Sequence, residues 1–118
     1  MKIIEKKARY FDGEMSGVDA ALAEITITNG ERTFYLYGEW TSEAGDDILF
    51  CASTDSLYDL EIRVPEADEE EMKEIERMRE CYSSSVEPDM VETFRGMYIH
   101  VLKGMLIDIC AESGVHPF

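Results

Sequence analysis

AALAEITITNGERTFYLYGEW, residues 20–40, reads as two strands joined by a turn. Asn-Gly suits the two positive φ angles of a type I′ turn, so Asn29-Gly30 predicts a hairpin of Ala20–Thr28 with Glu31–Trp40 in which Thr28 faces Glu31. Counting outward from that pair sorts the side chains. Ala21, Ala23, Ile25 and Ile27 share one face with Arg32, Phe34, Leu36 and Gly38. Leu22, Glu24, Thr26 and Thr28 share the other with Glu31, Thr33, Tyr35 and Tyr37. The first is a core face and the second is largely polar; a slip of one residue would reverse both.

Working outward, Lys2–Phe11 reads as a strand of modest alternation, and Asp12-Gly13 with Ser16-Gly17 marks the loop behind it. After a loop at Thr41–Asp47, Ile48–Ser53 and Leu57–Val64 predict a second hairpin turning at Thr54, Asp55 and Ser56. Leu49 and Cys51 then share a face with Tyr58, Leu60 and Ile62, while Ile48, Phe50 and Ala52 lie with Asp59, Glu61 and Arg63. Pro65 ends the last strand because it has no amide hydrogen to donate.

Two helices are expected next. Glu66–Tyr82 opens on Asp68, Glu69, Glu70 and Glu71, where the positive end of a helix dipole favours carboxylates. Its apolar stripe is Met72, Ile75, Met78 and Tyr82. Pro88 begins a longer helix that runs to about Glu112 before Gly114, with apolar residues at Met90, Val91, Phe94, Met97, Tyr98, Val101, Leu102, Met105, Leu106, Ile109 and Cys110. A competing reading stops this helix at Gly104 and makes Met105–Cys110 a strand. Strands followed by helices give an α+β fold: one domain over 1–118, an antiparallel sheet of about five strands (two hairpins plus the N-terminal strand), packed on one face by two C-terminal helices.

The chain carries 26 acidic and 11 basic residues, for a net charge of -15, with hydrophobic residues at 45%. That much apolar content specifies a core, so the acidity belongs to a folded body and not to a disordered tail. A field of this sign repels phosphate backbones and anionic lipid and attracts basic protein surfaces. Direct nucleic-acid and membrane binding are therefore not expected. Met1–Tyr10 lacks the apolar core of a secretion signal, so a cytoplasmic location is expected. Cys51, Cys81 and Cys110 are too widely spaced for a disulfide framework or a zinc knuckle.

Nucleophilic catalysis needs a base beside a thiol or hydroxyl, and the two histidines, His100 and His116, carry no local signature of one. No phosphate loop, His-x-x-x-His pair or EF-hand spacing occurs. Neither an enzyme nor a resident metal or cofactor is expected. The expected function is an acidic protein-binding module, with Glu24, Glu31, Tyr35, Tyr37, Glu39, Asp59, Glu61, Glu69 and Glu70 meeting the partner. If the helices cover the other face of the sheet, tyrosines among carboxylates face water and suit an Arg- and Lys-rich surface. By analogy of size and charge alone, such a module occupies the nucleic-acid-binding groove of a nuclease or similar basic protein, as anti-restriction and anti-CRISPR inhibitors do. The alternatives are an immunity protein that covers a cognate toxin, and a small-molecule-binding protein or enzyme with a pocket between sheet and helices. A homodimer through the long helix is compatible with each.

Overall fold

A computed structural model describes residues 1–13, 17–43, 47–54, 69 and 86–117. Four strands, β1 (Lys2–Phe11), β2 (Ala20–Thr28), β3 (Thr33–Thr41) and β4 (Leu49–Ser53), are followed by one helix, α1 (Pro88–Glu112). All neighbours are antiparallel and the sheet order is β1-β2-β3-β4, a meander. The architecture is α+β, with four strands and one helix among the described residues where five and two were expected. The expected strand at 57–64 and, apart from Glu69, the expected helix at 66–82 lie outside the described residues.

The central hairpin forms, with its register corrected by two residues. Thr28 pairs with Thr33, not Glu31, and Ala20 pairs with Thr41. The side chain of Asn29 is the cause. Its Oδ1 accepts the amide hydrogens of Glu31 and Arg32 at 2.9 and 2.7 Å, and Thr28 Oγ1 accepts that of Gly30 at 3.1 Å and donates to the Arg32 carbonyl at 2.9 Å. Only Gly30 takes a positive φ, 95°, so the two positive angles of a type I′ turn are absent. Residues 29–32 form a four-residue loop instead. Because strand side chains alternate with period two, an even shift leaves every residue on its expected face.

The core lies between that face and α1. Ala21, Ala23, Ile25, Ile27, Phe34, Leu36, Trp40, Phe50 and Ala52 meet Phe94, Tyr98, Leu102, Leu106 and Cys110. Pairing sets Ala8, Ala23 and Gly38 side by side across three strands, a notch of small residues. Leu102 seats there: a Cβ on Gly38 would lie 3.3 Å from Leu102 Cβ, so glycine permits the close approach of helix to sheet. Phe34 and Phe94 meet at a centroid distance of 4.9 Å, tilted by 53°. The five fully inward helix residues recur every four positions, a single ridge laid along the sheet.

Proline at the start of α1 needs no amide partner there, and Asp89 complements the positive end of the helix. At the far end Gly114, φ 76°, donates to the Ala111 carbonyl and Val115 to that of Cys110, each at 3.0 Å, which is a Schellman closure. The helix runs unbroken through Gly104, which excludes the competing strand at Met105–Cys110. Leu102 and Leu106, both fully buried, hold the backbone on either side of that glycine. No helix among the described residues is long and apolar enough to cross a membrane.

Candidate functional site

The centre of the second face of the sheet is shielded from water, which corrects the conditional expectation drawn from its polarity, while Leu49 at its edge is exposed. Pairing aligns Lys7, Glu24, Tyr37 and Cys51 in one row and Arg9, Leu22, Glu39 and Leu49 in the next. Tyr37 is 2% exposed, Glu39 5% and Glu24 7%. The Tyr37 hydroxyl donates to Glu39 Oε2 at 3.3 Å. A buried carboxylate needs such partners; on β1, Lys7 is paired in register with Glu24 and its Nζ lies 3.6 Å from Glu5 Oε1. Glu24, Tyr37 and Glu39 therefore serve the interior of the molecule.

The remaining expected contact residues are dispersed. Tyr35 is half-buried between Thr26 and Ser53. Glu31 is exposed in the β2–β3 loop, and Glu69 is exposed. Asp59, Glu61 and Glu70 lie outside the described residues. Of the six described positions, Glu24, Tyr35, Tyr37 and Glu39 share one face of the sheet, and Glu31 lies in the loop at its end.

A different acidic site emerges at the opposite end of the sheet from that loop. In a meander the first and third connections fall at the same end, and the last turn of α1 joins them there. Ser42 donates its amide to the Asp19 carbonyl at 2.8 Å, and the Asp19 amide returns a bond to Ser42 Oγ at 3.0 Å. The Asp19 carboxylate accepts from the Gly13 amide and from the Tyr10 hydroxyl. Burial, the bond to Asp19 and the negative charge of that side chain push the Tyr10 hydroxyl up to about 12. Cys110 comes from the helix side; burial, then the charge of Asp19, raises its thiol above the ordinary range. Asp19 is the knot that ties β1, β3 and α1.

At this end of the molecule lie Asp12, Glu43 and Asp47, in the two connections, and Asp108 and Glu112, on the last turns of α1, all exposed. Segments 12–19, 42–48 and 104–118 hold three, three and two acidic residues and no Lys or Arg. No basic residue occupies the last turn of α1, so its negative dipole end adds to the same field. Asp108 and Glu112, four apart on the helix, repel each other as well. Both effects cost stability, so the pole is an arrangement that folding alone does not favour. No group of three or more His, Cys, Asp or Glu among the described residues is arranged to hold a metal ion.

Sequence reasoning missed this pole, although its signal was present. The absence of cations from two connections and from the end of the helix is visible in the sequence; that they fall at one end required the strand order. No protein-family model matches the chain, and no curated protein or solved structure matches it.

Proposed function

We propose that this protein is an acidic protein-binding module that engages a basic protein surface through the pole formed by Asp12, Glu43, Asp47, Asp108 and Glu112. The observation that carries this reading is that the described acids of two cation-free connections, Asp12, Glu43 and Asp47, fall at the same end of the sheet as the negative end of α1 with Asp108 and Glu112, at a cost to helix stability. Such a field repels nucleic acid and steers cationic protein surfaces into encounter. A nuclease or other nucleic-acid-binding protein offers the complementary groove, and occupying that groove would inhibit it.

The test captures partners on the immobilised protein at about 0.1 M salt and elutes them at about 1 M, over which the screening length falls from ~10 to ~3 Å. Basic proteins should be retained at low salt, be released at high salt, and be displaced by nucleic acid. The variant Asp47→Asn/Asp108→Asn/Glu112→Gln should lose them. Equal capture by that variant, or capture indifferent to salt, overturns the proposal.

A further inference from the structure

The outward side of α1 differs from the rest of this charged surface. At about 100° per residue, Gly96, His100, Lys103, Ile107 and Ala111 fall in one line, with Met97 and Gly104 beside it. Met97 is 54% exposed and Ile107 44%. Charged residues make up 31% of the chain, yet Lys103 is the sole one between positions 96 and 107. Depletion of charge around exposed apolar side chains is the composition of an interface centre.

The two glycines sharpen the point. Neither Gly96 nor Gly104 has a positive φ, and a Cβ on either would meet no atom within 4 Å. Nothing among the described residues calls for glycine at these positions, and each weakens the helix relative to alanine. A second helix crossing close to the backbone does call for it.

The charges at the two ends of the strip decide between occupants. Asp89 and Glu92, with Arg95 beside them, flank one end and Asp108 and Glu112 the other, all exposed, so that with Lys103 on the strip four acids face two cations. A second copy laid parallel sets each acid against its own counterpart. Laid antiparallel about His100, it sets Glu92 against Asp108, and each chain already carries a net charge of -15. The charge favours a cationic occupant instead. We infer that the outward face of α1 docks an amphipathic helix of the basic partner, whose apolar side covers Met97, Ile107 and the glycine notches and whose terminal Lys or Arg residues reach Glu92 and Asp108. This rests on the reading above that the partner is basic, and it adds the form in which that partner presents itself. Asp108 and Glu112 belong to both surfaces, so the helix face continues the acidic pole.

The probe is a synthetic Leu/Lys amphipathic helical peptide of about 24 residues, matching the ~35 Å from Asp89 to Glu112, with a Leu/Glu peptide as control. Amide chemical-shift mapping should place the Leu/Lys peptide along 93–111, and the Leu/Glu peptide should not bind. Gly96→Gln/Gly104→Gln fills the notches without adding charge or breaking the helix; it should weaken the peptide at least ~10-fold while melting no lower than the parent. Equal affinity in that variant, or shifts confined elsewhere, overturns the inference and leaves the basic-partner reading standing. Failure of the Leu/Lys peptide to bind the parent protein at low salt overturns both. Sedimentation of the parent as a dimer that the same substitutions dissociate assigns the face to a second copy and overturns the inference.

Discussion

Replacing Gly96 and Gly104 by alanine should stabilise the protein, an unusual expectation for two substitutions in the longest helix. In a helix interior glycine is about 1 kcal/mol less favourable than alanine, chiefly through the freedom it retains when unfolded. That gain is realised only where the added methyl meets no obstacle, and at both positions nothing lies within 4 Å. The sites are eight residues apart, ~12 Å along the axis, so the effects should add to ~2 kcal/mol. For a chain of 118 residues, an unfolding entropy of ~2.1 cal/mol/K per residue converts each kilocalorie to ~4 °C, and the pair to ~8 °C. Thermal melts followed by far-ultraviolet circular dichroism, with urea titrations at 25 °C to confirm an unchanged m value, provide the readout. Gly114→Ala is the control of opposite sign, since its φ of 76° closes the helix and penalises any Cβ by ~1 kcal/mol. A double variant that melts no higher than the parent would refute the claim that the two interior glycines have no role within the chain.

Other substitutions probe the core, the loop and the Asp19 knot. Leu102→Ala removes a fully buried side chain seated over Gly38 and should cost about 2–5 kcal/mol in urea unfolding. Asn29→Ala deletes the acceptor of two loop amides and should cost ~1 kcal/mol, with faster hydrogen exchange at Glu31 and Arg32. Tyr10 titrates higher in the folded protein than the ordinary value of 10.0, so its neutral form is the one that folding favours. Its contribution is complete below pH 10 and is lost as pH rises toward about 12. Absorbance titration of tyrosinate should show a late-ionising component that shrinks by one tyrosine in Tyr10→Phe; a variant with an unchanged profile would refute the assignment to Tyr10.

The sequence disclosed the strands through alternation and turn residues, and β1 and β2 have the bounds it predicts. It misjudged the hairpin register for an instructive reason. Hydrophobic sorting detects odd slips and is blind to even ones, so agreement between turn type and pattern could not distinguish Thr28 facing Glu31 from Thr28 facing Thr33. The deciding interaction, Asn29 Oδ1 with two amides, belongs to the loop and leaves no trace in strand periodicity. The long helix was legible end to end because Pro88 and Gly114 punctuate an apolar run of spacing three and four. The expected contact surface was not, because polarity was taken as exposure. Glu24, Tyr37 and Glu39 are polar side chains satisfied in the interior, and no pattern of spacing separates such residues from solvated ones.

Strand β2 is buried from Ala20 to Ile27 without interruption. A half-exposed strand tolerates substitution at every second position; this one leaves no alternate set free to vary. In a saturation scan, charge-reversing or bulky changes at Glu24 and Thr26 should be rejected as firmly as polar ones at Ile25 and Ile27. The tolerance for change along this strand should therefore be lower than on β1, where exposed and half-buried residues predominate.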